Sequence, residues 1–474
     1  MSLTLKPYQE YKDSGQAWLG RVPTNWNIVP AFAVFKERQQ KNVGLREKQV
    51  LSLSYGRIIK KRDDALHGLV PASFEGYQVV EPGNIILRFT DLQNDQRSLR
   101  VGLVKDRGII TSAYVGLTLR DQLLPDYAYY LLHSADVQKV FYGMGSGLRQ
   151  SLGFADLRRM PVVVPDIEEQ KRIVRFLAAT GLRTDKLIRA KRRMIQLLNE
   201  QKQAIIQQVV TRGLDPNIRL KPLGTGWNGD VPEHWEFRRA KQLCKAIIDC
   251  KNRTPEMVEG GEFTVVRTTN IRDGRFALDG SYPTDRGNYE IWTQRGAPRA
   301  GDVFFTREAP AGEACLVPGL DNLCMGQRMM YFRPDPALLD ARFLLYSIYG
   351  PVGRTYVEHV SNGSTVGHLR LGDVYAFPIL WCPVEEQRWL VQHIETSTSP
   401  LDCAIGQASR EIVLLREYRT RLITDVVTGK LDLRGVELPE LEEAEEIESL
   451  SGVADEELED SEELVAADGG ADAD

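Results

Sequence analysis

The chain has 474 residues, 42% of them hydrophobic and 26% charged, which is ordinary for a globular protein and leaves room for two or three domains. Residues 437–474 hold 17 acidic residues and no Lys or Arg, so residues 1–436 carry a net charge of +12 from 60 basic and 48 acidic side chains. The sequence shows neither an apolar run of 18 residues nor the layout of a secretion signal. It therefore favours a cytoplasmic protein. A basic body with an acidic tail is typical of a protein that binds a polyanion, and charge scattered over a solvated surface is the alternative.

The chain contains an internal duplication. Val22-Pro23-Thr24-Asn25-Trp26 recurs as Val231-Pro232-Glu233-His234-Trp235, an offset of 209. Glu168-Glu169-Gln170 recurs as Glu385-Glu386-Gln387, and Val209-Val210-Thr211 as Val426-Val427-Thr428, both at an offset of 217. The change in offset indicates that the second copy carries eight extra residues between its tryptophan motif and the later shared segment.

Each copy divides into a variable part and a shared part. The variable parts, which we name head 1 (residues 1–164) and head 2 (residues 222–382), combine short β-branched and aromatic runs with Gly and Pro. A helical pattern interrupts head 1 from Tyr127 to Phe141. These features predict α+β globules, each with a strongly curved sheet.

The shared parts, residues 165–221 and 383–436, are predicted to be helical spacers. Asp166 suits an N-cap with Glu169 at the capping-box position, and Pro383 suits a first helical turn. Thr180-Gly181 and Thr396 to Pro400 predict a break at the same place in both copies. The heptad a and d positions beyond that break are Ile188, Ile195, Leu198, Ile205 and Val209 in copy one, and Ile405, Ile412, Leu415, Leu422 and Val426 in copy two.

These parts predict a pseudo-two-fold molecule. If the two helical segments pair along their apolar seams, they form an antiparallel coiled-coil spacer that holds two heads at a fixed separation. Readers of double-stranded DNA commonly use two matched modules a set distance apart, and heads that differ would read a split, asymmetric site.

Both heads carry polar loops of the kind that contacts DNA, because Arg and Lys suit guanine and phosphate, Asn and Gln suit adenine, and acidic groups accept from cytosine. The candidates in head 1 are Arg57, Lys60, Lys61, Arg62, Arg88, Gln93, Asn94, Arg97, Arg100, Arg149 and Gln150. Those in head 2 are Arg267, Thr268, Asn270, Arg272, Arg307, Glu308, Asn362, Ser364 and Thr365. For any single one of them, a solvated surface residue is the competing interpretation.

From residue 8 to about 435 the chain resembles the specificity subunits of type I restriction–modification systems. The resemblance is carried by Tyr11-Lys12-Asp13-Ser14-Gly15 through Trp26, by the second tryptophan motif, and by the twin Glu-Glu-Gln and Val-Val-Thr segments. It implies two target-recognition domains joined by helices that dock two methyltransferase subunits and, in the full complex, restriction–translocation subunits. The acidic tail after Glu437 departs from the family pattern, and disorder is its simplest interpretation.

The Glu-Glu-Gln segments predict docking of these partners. Glu168, Glu169 and Gln170 have nearly the same surroundings as Glu385, Glu386 and Gln387, and a symmetric pair of partners needs a symmetric pair of sites. Stabilisation of the helix N-terminus by the glutamates is the alternative.

No catalytic or metal-binding motif stands out in the sequence. It lacks an AdoMet-binding glycine loop, an Asn/Asp-Pro-Pro-aromatic motif and a GxxxxGK[ST] loop, so AdoMet, ATP and Mg are expected on partner subunits. The Pro165-Asp166 to Lys171 stretch imitates a nuclease signature, but its carboxylates fall within one helical turn. The six cysteines form no CxxC and are expected to be reduced, mostly buried thiols. A coiled-coil scaffold whose globules bind proteins is the remaining alternative.

Overall fold

A computed structural model describes residues 5–61, 73–93, 95, 98–144, 152–223, 229–361 and 367–438. The fold separates into two compact units. Unit 1 comprises the described parts of Met1–Lys191 and Arg410–Asp474, and unit 2 those of Arg192–Ser409. Each unit thus contains one head together with a portion of both long helices.

The described part of head 1 consists of short strands and three helices. Its strands are β1 (Tyr11–Asp13), β2 (Arg21–Pro23), β3 (Asn27–Pro30), β4 (Phe35–Arg38), β5 (Leu51–Ser54), β6 (Arg57–Lys60), β7 (Gln78–Val80), β8 (Ile85–Leu87), β9 (Val101–Leu103), β10 (Gly108–Ile110), β11 (Val115–Leu119) and β12 (Pro161–Val164). Its helices are α1 (Ala31–Val34), α2 (Pro125–Val137) and α3 (Phe154–Leu157), with 3-10 turns at Phe74–Gly76 and Val140–Gly143. The long helix α4 (Ile167–Arg212) follows.

The second copy begins after α4 and ends in a second long helix. Its strands are β13 (Leu220–Pro222), β14 (Asp230–Pro232), β15 (Glu236–Arg239), β16 (Cys244–Asp249), β17 (Phe263–Val266), β18 (Ile271–Arg272), β19 (Arg275–Phe276), β20 (Tyr282–Thr284), β21 (Val303–Thr306), β22 (Ala314–Leu316), β23 (Leu323–Met325), β24 (Met329–Pro334) and β25 (Pro378–Trp381). Its helices are α5 (Ala240–Leu243), α6 (Arg286–Trp292), α7 (Ala341–Tyr349), α8 (Pro351–Ser361), α9 (Leu371–Tyr375) and α10 (Val384–Val427), with a 3-10 turn at Thr268–Asn270.

The two heads share most of their sheet topology although their sequences differ. A four-stranded antiparallel sheet has the order β4-β11-β8-β9 in head 1 and β16-β24-β21-β22 in head 2. The pairs β1-β2, β3-β12 and β5-β6 recur as β13-β14, β15-β25 and β18-β19. The remaining sheets differ: head 1 has the antiparallel pair β7-β10, and head 2 has β20-β17-β23, in which β17 and β23 are parallel. The predicted α+β class is confirmed, and the β-structure of each described head is spread over several small sheets.

The repeated tryptophan motifs form the base of each head. Trp26 and Trp235 are fully buried, as are Val22 and Val231. A tryptophan at such a position is worth about 3–5 kcal/mol against alanine. The motif therefore recurs because it builds the core.

Each long helix is continuous, so the predicted breaks are wrong. Gly181 lies inside α4, which spans 46 residues, and Pro400 lies inside α10, which spans 44. An interior glycine costs about 1 kcal/mol and an interior proline about 3 kcal/mol relative to alanine. Packing offsets these costs, because the seam positions Ile188 and Ile412 are buried against neighbouring side chains.

The ends of the helices pack against the heads. In unit 1, Phe176 of α4 and Val426 of α10 belong to the core of head 1. In unit 2, Val209 of α4 and Leu390 of α10 belong to the core of head 2. Each head therefore rests on one end of both helices.

Ion pairs link the two helices within each unit. In unit 1, Lys191 Nζ lies 2.6 Å from Glu411 Oε2, and Arg419 Nη1 lies 2.7 Å from Asp185 Oδ1. As the residue number rises along α4, that of its partner on α10 falls, so the segments run antiparallel, as predicted. In unit 2, Lys202 Nζ contacts both carboxylate oxygens of Asp402 at 2.8 and 2.9 Å.

Candidate nucleic-acid interface

The hairpin β5–β6 carries the first predicted group of basic residues in head 1. Arg57 and Lys60 are exposed, and Lys61 is half-buried at the end of the hairpin. Lys60 Nζ lies 2.9 Å from Asp106 Oδ1, a pair that is open to solvent and therefore weak. The hairpin thus presents cations to solvent, and their predicted contact with DNA stays a prediction.

The loop after β8 contains an arginine whose role differs from the prediction. Arg100 is fully buried, with its guanidinium donating to the carbonyl oxygens of Arg88, Thr90 and Asp91 and to the phenol of Tyr142. A buried guanidinium with its donors so engaged cannot reach a base. We therefore correct the assignment of Arg100 from DNA contact to organisation of this loop.

Arg100 holds the other candidates of the loop in place. Arg88 is half-buried, and its Nη2 lies 3.7 Å from Asp95 Oδ2. Gln93 is exposed on the same loop. The loop therefore displays Arg88 and Gln93 around a buried arginine.

In head 2 the first candidates lie around the 3-10 turn before β18. Arg272 is exposed, and Arg267 and Thr268 are half-buried. Asn270 is 1% exposed, accepts from the amide of Arg267 at 2.7 Å, and donates to the carbonyls of Ala277 and Asp279 at 2.8 Å each. Asn270 is therefore a structural residue of this turn, which corrects its assignment as a base-reading side chain.

A charged cluster surrounds Arg307 and Glu308 after β21. Arg307 Nε lies 3.4 Å from Asp249 Oδ1, and Arg328 Nε lies 3.2 Å from Glu308 Oε2. His368 Nδ1 also contacts Glu308. Burial raises the pKa of Asp249, an effect that Arg307 and then Arg295 oppose.

The cluster brings together segments that are far apart in sequence. Asp249 ends β16, Arg328 precedes β24 and His368 follows α8. Sequence analysis selected only Arg307 and Glu308, because nothing in the local pattern marks the other three. Only the structure distinguishes Arg328, whose φ is +69°. Backbone strain of this kind in a residue other than glycine tends to occur at functional sites.

Eight predicted DNA-contacting residues lie outside the described part of the chain. They are Arg62, Asn94, Arg97, Arg149, Gln150, Asn362, Ser364 and Thr365.

The Glu-Glu-Gln segments attach each long helix to its head. Gln170 is fully buried, accepts from the amide of Leu124 at 2.9 Å, and donates to the carbonyls of Gln122 and Pro165 at 3.0 and 2.9 Å. Gln387 repeats the arrangement with the amide of Asp340 and the carbonyls of Leu338 and Cys382. Both glutamines are joints between helix and head, which corrects their assignment as partner-binding residues.

The second glutamate of each segment is also engaged within its unit. Glu169 is buried and accepts from the phenol of Tyr8 at 2.6 Å, while its amide donates to the N-cap carboxylate of Asp166 at 2.8 Å. Glu386 accepts from the indole of Trp235 at 2.9 Å. These contacts assign Glu169 and Glu386 to the same joints and leave them poorly placed for a partner.

The first glutamates face solvent. Glu168 is exposed and pairs with Lys171, and Glu385 is exposed and pairs with Arg388, both across one helical turn. Of the six predicted partner-binding residues, these two have the exposure that docking requires.

The described residues hold no group of three or more His, Cys, Asp or Glu placed to bind a metal ion. All six cysteines are free thiols, and four of them are buried: Cys250, Cys315, Cys324 and Cys382. Burial raises the pKa of Cys324 to about 12, which keeps this thiol protonated at neutral pH. Within the described chain, no helix is long and apolar enough to cross a bilayer.

The described structure is thus a pair of heads with most of their sheet topology in common and different polar surfaces, each fixed to two long helices.

Comparisons with known proteins find similarity to one group of proteins. The chain is 19% identical over 452 residues to the MjaX specificity subunit of a type I restriction enzyme from Methanocaldococcus jannaschii, covering 92% of this chain and all of that protein. It is 20% identical over 428 residues to the MjaVIII specificity subunit from the same organism, covering 88% of this chain and 95% of the relative. No family model matches the chain.

A solved structure of a type I restriction–modification system contains a chain with the same fold. It superposes with a TM-score of 0.59 at 17% identity, over 86% of this chain and 99% of that one. The resemblance to type I specificity subunits is confirmed, as is the arrangement of heads and helical spacers. Neither curated relative is a scaffold protein.

Proposed function

We propose that this chain is the DNA-recognition subunit of a type I restriction–modification complex, which reads a bipartite asymmetric site and directs catalytic partners to it. The observation that carries the proposal is one fold used twice with different charged surfaces, in a chain similar to specificity subunits along nearly its whole length. The shared topology gives both heads the same way of meeting DNA, and different side chains give each head its own half-site.

Head 2 offers the better-defined reading surface. Glu308 and His368 supply acceptors beside the exposed cation Arg328, so the cluster can meet both acceptor and donor edges in the major groove. Arg307 and Asp249 are largely buried and support these side chains. Side chains that already contact one another lose less conformational freedom when they bind a base pair.

Partner subunits would dock on the exposed faces of the helices. Leu197 of α4 and Leu414 of α10 occupy equivalent positions at the offset of 217, and they are 46% and 61% exposed. Exposed leucines at equivalent positions suit two identical partners, and Glu168 and Glu385 add a polar pair at the helix starts. We assign methyl transfer from AdoMet and ATP-driven, Mg-dependent translocation to these partners, and we place the complex with the DNA in the cytoplasm.

Methylome sequencing of a host that expresses the chain with its methyltransferase partner tests the proposal. We expect one split motif to gain methylation. Replacing residues 30–155 with the same region of a relative should then change one half-site only, while Leu414→Glu, which leaves both heads intact, should reduce methylation without changing the motif. A motif that changes in both halves after the replacement, or no methylated motif at all, would contradict the proposal.

A further inference from the structure

Both heads contain a small hairpin with the same tight turn. In head 1 the two-residue turn Tyr55-Gly56 joins β5 to β6, with φ values of +43° and +82°. In head 2 the turn Asp273-Gly274 joins β18 to β19, with φ values of +49° and +79°. Positive φ at both central residues matches the twist of antiparallel strands, and glycine at the second position adopts it without strain.

The residue after the glycine is an arginine in both hairpins. Gly56-Arg57 and Gly274-Arg275 are related by an offset of 218, which also relates Gly83 to Gly301 at the start of the third strand of each four-stranded sheet. The offset therefore rises by nine residues, from 209 to 218, between β16 and β18, and it falls by one to 217 before the shared helices. Arg57 and Arg275 occupy one structural position in heads whose other polar loops differ.

Each hairpin tip is fixed to the main helix of its head by a tyrosine. In unit 1, the phenol of Tyr129 on α2 donates to the carbonyl of Gly56 at 3.4 Å. In unit 2, the amide of Gly274 donates to the phenol of Tyr349 on α7 at 2.8 Å. The two tyrosines lie one helical turn apart on equivalent helices. Each head therefore holds its hairpin tip with a tyrosine, but from a different position on the helix.

Both arginines project from these fixed tips into solvent. Arg57 is exposed, and the side chain of Arg275 is 69% exposed with its Nη2 2.8 Å from Asp402 Oδ1. An ion pair this exposed contributes little to stability, so it leaves the guanidinium able to exchange partners.

We propose that Arg57 and Arg275 are equivalent contacts to the phosphates of the DNA backbone, one in each half-site. The inference rests on the proposed function and concerns the DNA contacts that both heads would make in the same way. Base-reading groups must differ between heads that read different half-sites, whereas phosphates are the same in every sequence. An arginine kept at one position by one turn, while the surrounding loops differ, matches the phosphate role.

The proposal predicts a specific change in salt dependence. Each neutralised phosphate contributes about 0.9 to the slope of log K against log salt concentration. Arg57→Gln and Arg275→Gln should each reduce the slope by about 0.9, and the double variant by about 1.8. At about 0.15 M salt each loss corresponds to roughly fivefold weaker binding, equally on specific and random DNA.

The experiment measures DNA binding by the full chain with its methyltransferase partner over a series of salt concentrations. Asp402→Asn is the control for the ion pair, because it removes the contact to Arg275 but keeps the guanidinium. Since it also removes the contact to Lys202, its melting temperature is compared with that of the unaltered chain. Arg421→Gln is the control for charge, since it removes an exposed guanidinium of α10 that lies outside both hairpins. We expect neither control to reduce the slope, and we expect the methylated motif to be unchanged in every variant.

Slopes for Arg57→Gln and Arg275→Gln no smaller than that of Arg421→Gln would overturn the proposal. A base change in the methylated motif would also overturn it, because that result would make the arginine a base reader. If the unaltered complex itself bound DNA without salt dependence, the proposed function would fail, an outcome distinct from failure of the hairpin assignment.

Discussion

Replacing Gln170 with methionine separates the structural role of the Glu-Glu-Gln segment from partner docking. Methionine keeps the length and volume of the side chain but loses its hydrogen bonds, so the change isolates the contacts to Leu124, Gln122 and Pro165. Each buried backbone group left without a partner costs about 1–3 kcal/mol. Of the three groups, the carbonyl of Pro165 is buried and the other two are partly buried, so we expect Gln170→Met to lower the free energy of unfolding by about 2–4 kcal/mol.

The equivalent change in the second copy, Gln387→Met, is expected to have a smaller effect on stability. Gln387→Met removes contacts to Asp340, Leu338 and Cys382, but the carbonyl of Leu338 keeps the indole of Trp381 as a donor at 2.7 Å. The amide of Asp340, partly buried, and the carbonyl of Cys382, buried, are then left without a partner, and the expected loss is about 1–3 kcal/mol. The ranking, with Gln170→Met the more destabilising, follows from this one extra hydrogen bond.

Urea unfolding followed by circular dichroism measures both losses, with Glu168→Gln and Glu385→Gln as controls at the exposed neighbouring positions. We expect the controls to remain within about 0.5 kcal/mol of the unaltered chain. A loss below about 1 kcal/mol for Gln170→Met, together with failure to co-purify the partner, would refute the structural role of Gln170 between helix and head. That result would support the docking interpretation instead.

Two further outcomes follow from charge. Burial, and then the nearby Arg419, lower the pKa of His133 to about 4, whereas the unfolded value is about 6.5. Protonation therefore favours the unfolded chain as the pH falls from 6.5 towards 4, and thermal melting should show a loss of about 1–2 kcal/mol between pH 7 and pH 5 that His133→Gln lacks. Removing residues 439–474 deletes 16 acidic residues and changes the net charge from −5 to +11, so association with random DNA in stopped flow should accelerate at low salt. A rate equal to that of the full chain would show that the tail does not influence the DNA-binding surface.

The sequence predicted the duplication, the α+β heads and the antiparallel helices because these depend on patterns that repeat along the chain. It failed where tertiary contacts decide the outcome. Gly181 and Pro400 are reliable helix-breaking signals locally, yet packing along the seam outweighs them. Arg100 and Asn270 have the composition of a binding loop, but their burial depends on carbonyl groups that only the folded loops bring together.

The residues of the proposed reading surface are harder to predict for the same reason. The cluster around Glu308 joins Asp249, Arg328 and His368 across more than a hundred residues of sequence, and no local pattern connects them. Arg275 escaped selection because it stands alone between a turn and Phe276, and only comparison with Arg57 in the folded hairpins reveals its position. Superposition of the two heads therefore supplies information that neither copy supplies alone.

The polar residues of the helical seam show how the duplication serves both parts of the molecule. Asp185 and Asp402 are related by the offset of 217, and so are Lys202 and Arg419. In unit 1 the acid comes from α4 and the base from α10, whereas in unit 2 the base comes from α4 and the acid from α10. Each copy thus contributes one acid and one base, and the antiparallel arrangement pairs each with its opposite charge. Charged residues in the seam disfavour a shifted pairing of the helices, because a shift would place these charged side chains opposite apolar ones. One acidic and one basic position, duplicated once, therefore help to fix the register of the helices at both heads.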